Sequence, residues 1–159
     1  MRRFIVCCSI SGWLGACPQL LSPAMAQVPP VTPTCSIVGS TAGQMFANAA
    51  LASRLESNSS DSYFRVECTG AITGKLRLSL GAGSKLYNGS ARFRLVGVSG
   101  IFTTTTSDYT DSPVLIPYAN LSGITAGDVR YQVQVSGTNG YLLPAASDYA
   151  VKLQAELVQ

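Results

Sequence analysis

The sequence predicts an all-β sandwich, and three observations carry that prediction. Seven or eight short segments alternate apolar and polar residues with a period of two, which sets one row of side chains on each face of a strand. Charged residues make up 12% of the chain, about half the usual quarter, beside 47% hydrophobic residues. Two cysteines, Cys35 and Cys68, fall on the apolar faces of two of the alternating segments. So much apolar content excludes a disordered chain, and 159 residues suit one domain with a leader.

Residues 1–26 read as a secretory signal. Arg2 and Arg3 form its positive start, Phe4 to Leu14 its apolar stretch, and Ala24-Met25-Ala26 its small-x-small cleavage site. Ser9, Ser11, Gly12, Pro18 and Gln19 interrupt the apolar run before the roughly 18 to 20 residues that a membrane anchor needs. Leu14-Gly15-Ala16-Cys17 also resembles a bacterial lipobox, in which Cys17 would be acylated and open the mature chain. Cleavage after Ala26 instead discards Cys7, Cys8 and Cys17 and leaves an even pair, Cys35 and Cys68, in an oxidising compartment. One disulfide is expected, closing a loop of about 30 residues and contributing roughly 3 to 4 kcal/mol in the chain-entropy picture. The alternative, a reactive or metal-binding pair, lacks both CxxC spacing and a basic partner.

Gln27 to Thr34, with Pro29, Pro30 and Pro33, is predicted to be an extended arm, and residues 35–159 a single domain. Cys35 and Ile37 share a face of the first strand. Gln44 to Glu56 is the one stretch with helical spacing, through Met45, Ala49, Leu51 and Leu55. Phe64, Val66 and Cys68 then alternate with Tyr63, Arg65 and Glu67, and Leu76, Leu78 and Leu80 with Arg77 and Ser79. Gly81-Ala82-Gly83-Ser84-Lys85 follows. It reads as a hairpin turn, because a phosphate loop requires GxxxxGK[ST] spacing and a helix behind it. Phe93 and Leu95 mark another strand, Ile101 to Thr106 and Val114 to Tyr118 weaker ones, and Val129, Tyr131, Val133 and Val135 a strong one. Last comes a stretch from Asp148 to Val158, where Tyr149, Val151, Leu153, Ala155 and Leu157 point one way and Lys152, Gln154 and Glu156 the other. It is either a long core strand or an edge whose unpaired N–H and C=O groups await a partner.

The chemistry is as informative for what is missing. With 0 histidines there is no Ser-His-Asp triad, no Cys-His pair and no histidine-ligated zinc. Asp108 and Asp111 are candidate paired carboxylates or calcium ligands, yet they sit in a Ser- and Thr-rich loop with no third acid close by. No catalytic residue, metal site or cofactor is predicted. Asn58, Asn88 and Asn120 begin glycosylation sequons, which matter only in a eukaryotic source. Loss of the leader takes two of 11 Lys and Arg, leaving nine against 8 Asp and Glu and a net charge of about +1, so no nucleic acid or other polyanion is implied. The remaining charge is segregated. Arg65 to Arg94 is basic except for Glu67, and Asp108 to Glu156 is mainly acidic, a pattern that fits either solvated strand faces or head-to-tail complementarity between subunits. With Trp13 in the leader, Tyr87, Tyr109, Tyr118 and Tyr141 are the aromatics near turns that could stack on a sugar or cap a core.

Thr34-Cys35-Ser36 near the mature start, Phe64-Arg65-Val66-Glu67-Cys68 at a strand end, and the Pro144 to Val158 lead into a terminal alternating strand together resemble pilin subunits of bacterial chaperone–usher pili. The spore coat protein U-like domains of the archaic pathway are the most similar. The resemblance implies an immunoglobulin-like sandwich lacking one strand, with a groove lined by Phe64, Val66, Tyr149, Val151, Leu153, Ala155 and Leu157. It further implies a periplasmic chaperone that lends a strand to that groove, and an outer-membrane usher that exchanges it for the N-terminal extension of the next subunit. The chain would then pass through the periplasm to a surface pilus and act as a structural or adhesive subunit without catalysis. As a donor the Gln27 to Thr34 arm is poor, offering only Val28 and Val31 among three prolines, which suits either a tip or minor subunit or a mature N-terminus that lies further upstream. The competing expectation is a self-complete secreted sandwich that binds a ligand such as carbohydrate.

Overall fold

The computed structural model describes residues 32–48, 51–58, 62–103, 106–121, 123–143 and 148–159. All belong to the unit Val31–Gln159. The leader, with Cys17, Ala24 and Ala26, and the arm as far as Val31 lie outside the described residues.

Alternation along the chain becomes burial on one face of each strand. The described strands are β1 (Thr34–Thr41), β2 (Met45–Asn48), β3 (Leu51–Ser57), β4 (Tyr63–Thr69), β5 (Ile72–Leu80), β6 (Gly89–Val98), β7 (Val114–Asn120), β8 (Ala126–Gly137) and β9 (Leu153–Val158). In β4, Phe64, Val66 and Cys68 are buried while Arg65 and Glu67 face water, and β8 buries Val129, Tyr131, Val133 and Val135. The chain is therefore an all-β sandwich of two antiparallel sheets.

The larger sheet is built around β8. β6 pairs along one side of β8 from Val129 to Gly137, while the other side is shared, β4 taking residues 126–130 and β3 residues 134–136. β1 lies outside β4 and β2 outside β3. Where β3 stops and β4 begins, the β8 ladder is completed by other groups. The Val133 N–H donates to Ser57 Oγ at 2.8 Å, and the Tyr131 N–H to the Ser62 carbonyl at 3.1 Å. Ser57 and Ser62 are buried for that reason. The smaller sheet has three strands in the order β7-β5-β9. Pro117 sits in β7, an outer strand, where its missing N–H costs no ladder bond toward a further strand.

Leu76, Leu78, Ile116 and Tyr118 of the small sheet meet Phe64, Val66, Phe93, Leu95, Val129 and Tyr131 of the large one. Phe64 and Tyr131 stack at 5.2 Å between ring centres. Cys35 and Cys68 are register partners and form the disulfide, with Cα atoms 4.1 Å apart.

Four expectations need correction. Gln44 to Glu56 is a strand pair, β2 and β3, because the open side of β8 offers Leu55 and Glu56 the partners Val135 and Gln134, and non-local pairing outweighs helix preference. Gly81 to Ser84 is not a hairpin turn, since the strands it joins, β5 and β6, belong to different sheets. The described residues of Ile101 to Thr106 form no strand; they meet β7 at the Phe102–Tyr118 bridge and through the Thr103 hydroxyl, which donates to Pro117 O at 3.4 Å. The terminal strand begins at Leu153 rather than Asp148. Ahead of it, Ala150 pairs singly with Lys85, and the Lys152 N–H donates to Ser84 Oγ at 3.0 Å.

Candidate functional site

Because β3 and β4 share one side of β8, the large sheet is four strands wide, β1-β4-β8-β6 toward one end and β2-β3-β8-β6 toward the other, against three strands in the small sheet, which leaves a margin uncovered. The small sheet ends at β9, which pairs with β5 and with no other strand among the described residues. β1 likewise pairs with β4 and with no other strand among the described residues. Because β5 starts where β4 ends, Val158 opposite Lys75 lies toward the Thr34–Thr69 end of β1, and the two edges run antiparallel past each other. Their inner faces remain half-buried. Cys35 and Ile37 on β1, and Leu153, Ala155 and Leu157 on β9 with Val151 before it, pack against the core without being enclosed by it.

The backbone points the same way. Both bridging bonds of Ala150 go to Lys85, and Lys152 O accepts from the Gly81 N–H at 2.7 Å, so the even-numbered residues face β5. Antiparallel alternation then turns the N–H and C=O groups of Leu153, Ala155 and Leu157 to the free edge. On β1, the Cys68 N–H donates to Thr125 O rather than to Cys35, so Cys35 and Ile37 present their own backbone groups outward as well.

At the wide end the cleft opens into a cavity of about 530 Å³. Its floor is Leu55, Tyr131 and Val133, one wall is Ala42 to Met45 behind β1, and the other is Tyr149 to Val151. Tyr131 ties the floor to the end of β1, just ahead of that wall, by donating its hydroxyl to Thr41 O at 3.1 Å. Burial raises the pKa of that hydroxyl and so keeps it a donor. Elsewhere the Cα atoms of β1 and β9 come within 8 Å of each other. A strand seated between two others needs about 9 to 10 Å, so an incoming strand has to part these edges.

Comparison with protein-family models, curated proteins and solved structures finds no match. The site is therefore read from its own geometry. Of the residues named from sequence, Val151, Leu153, Ala155 and Leu157 line one side of the cleft, and Tyr149 stands at the cavity wall. Phe64 and Val66 lie deeper, 9% and 0% exposed, on the inner face of β4. Sequence reasoning missed Ile37, Leu55 and Tyr131 on the opposite side. Ile37 and Tyr131 were legible as inward residues, but nothing local says which inward residues a short sheet leaves uncovered.

The remaining candidates separate. Tyr118 is core, and Tyr109 is half-buried with the Arg94 guanidinium 4.8 Å from its ring centre. Tyr87 and Tyr141 stay exposed. Asp108 and Asp111 are exposed, and no group of three metal-ligating side chains occurs among the described residues. Asn120 is buried and donates to Gly70 O at 2.9 Å, so its sequon is closed. The segregated charges meet inside the chain: Arg65 with Asp128 at 3.2 Å, Arg77 with Glu156 at 3.8 Å and Lys85 with Asp148 at 3.0 Å.

Proposed function

We propose that this chain is a subunit of a surface pilus that accepts a donated β-strand along the cleft between β1 and β9. The observation that carries the reading is the pair of edges, each with half-buried apolar side chains and outward backbone groups on the same residues. A strand laid there pairs its main chain with Leu153, Ala155 and Leu157 and buries alternate side chains against the core, which is how strand addition combines affinity with register. A periplasmic chaperone would supply that strand first and a neighbouring subunit later, with an outer-membrane usher between them. Export by the leader and a place on the cell surface belong to the same proposal.

The test is thermal unfolding of the purified, oxidised protein, alone and with a synthetic peptide of about ten residues carrying Val or Leu at alternate positions, long enough to span Val151 to Leu157. A ligand that binds only the folded state raises the midpoint as its concentration rises. A low midpoint that climbs with the peptide supports strand acceptance. Cooperative melting at high temperature that ignores every donor overturns it and makes a self-complete secreted binding module the better account.

A further inference from the structure

Beyond Gly89 and Gly137, the pair that closes the β6–β8 ladder, two loops enclose a second hollow of about 220 Å³. Tyr87 and Asn88 come from one loop, Thr138, Tyr141 and Leu142 from the other. The described non-glycine residues with left-handed backbone are Tyr87 (φ 46°), Asn88 (φ 67°) and Asn139 (φ 54°); the first two line this hollow, and the third sits in its second loop, next to Thr138. Asparagine tolerates that conformation, whereas a bulky tyrosine is a real outlier in it. Such backbone persists only where its surroundings over-determine it, and it concentrates at ligand clamps.

The surroundings here do so. The Gly89 N–H donates to Leu86 O at 2.8 Å, the Tyr141 N–H to Thr138 O at 3.2 Å, and the Thr138 hydroxyl to the Asn88 carbonyl, which ties one loop to the other. Gly137 permits the fold-back, since a Cβ there would lie 1.8 Å from Tyr141 O. Tyr87 is held by its hydroxyl on Asp148 and its ring edge against Tyr149, yet stays 41% exposed, and Tyr141 is 73% exposed. Among the described residues no charged side chain lines the hollow. Among the described residues the Asn88 amide and the Tyr141 hydroxyl have no protein partner.

We infer that Tyr87, Asn88, Thr138 and Tyr141 form a binding site for one uncharged pyranose ring, such as the terminal sugar of a glycan. A pyranose has an apolar C–H face that suits an aromatic ring and equatorial hydroxyls that suit an amide and a hydroxyl. A charge-free lining selects against acidic sugars, because a buried charge needs a partner. The volume, below the roughly 300 Å³ typical of drug-sized ligands, admits a single ring. The inference is independent of strand acceptance, which uses the other cavity.

Saturation-transfer NMR on the purified protein tests it, with methyl α-mannopyranoside, methyl β-galactopyranoside and the methyl β-glycoside of N-acetylglucosamine as probes. At least one probe should receive saturation at its ring protons. Tyr141→Ala should weaken that binding about tenfold or more, and Tyr141→Phe, which keeps the ring and loses the hydroxyl, should weaken it less. Asn88→Gly keeps the left-handed backbone but removes the amide, and should weaken binding too; Leu115→Ala, on an exposed face of β7, should leave it unchanged. Equal unfolding midpoints certify that the variants remain folded. No binding by any of the three probes, or binding that Tyr141→Ala leaves unaltered, overturns the assignment.

Discussion

Asp148 ties the approach of the terminal strand to the loop before β6 by accepting from Lys85 and from the Tyr87 hydroxyl. Those bonds, Tyr87 first and then Lys85, hold its carboxyl below the usual range, and bonding to Asp148 raises both Lys85 and Tyr87. A lowered carboxyl contributes stability that is full above its unfolded pKa and is lost as pH falls through the folded one. Raised Lys and Tyr groups contribute stability that is full below their unfolded values and is lost as pH climbs past about 10. All three groups are exposed, so the effect is local. The ring resonances of Tyr87 and Tyr149, which meet at 5.0 Å, should stay constant from about pH 5 to 9 and move below about pH 4. Asp148→Asn should remove the acid transition; its survival in that variant would assign the change to another group.

Among elements, β5 and β9 make the sharpest contrast, because they are neighbours with the same leucine-rich alternation. β5 has a strand on each side, so Leu76 and Leu78 are 0% exposed, whereas the inner leucines of β9 are half-buried. Leu78→Ala should cost about 2 to 5 kcal/mol in urea unfolding, the range for an enclosed leucine. Leu157→Ala should cost less, about 1 to 2 kcal/mol, in the isolated protein, since part of that side chain already meets water. Its cost should grow once a donor peptide covers it. Equal costs for the two variants without a donor would mean that the inner face of β9 is already closed.

At the scale of the whole sandwich, the disulfide joins outer strand β1 to β4 across 33 residues. Replacing both cysteines by serine should lower the unfolding free energy by about 3 to 4 kcal/mol, measured by denaturant midpoint. A loss below about 1 kcal/mol would mean that the reduced unfolded chain is already restricted. Charge acts at the same scale. Basic and acidic stretches distant in sequence meet across strands, Arg65 with Asp128 and Arg77 with Glu156, so the segregation serves pairing within the fold. Such exposed pairs set orientation more than stability.

The sequence by itself determined the strand class, the inward rows of β4, β5, β6 and β8, and the cysteine pair. A strand with water on one face and core on the other writes its period into neighbouring residues. Tertiary structure decided the rest. Whether Met45 to Ser57 coils or extends depends on the vacant side of β8 some 80 positions later, and its own alanines and leucines do not encode that vacancy. Whether Leu153 and Leu157 end in a core or at an open edge depends on sheet width, because burial is a property of what lies across the gap. The hollow between Tyr87 and Tyr141 exists for the same reason: two loops 50 residues apart are bound together by Thr138 and Asn88.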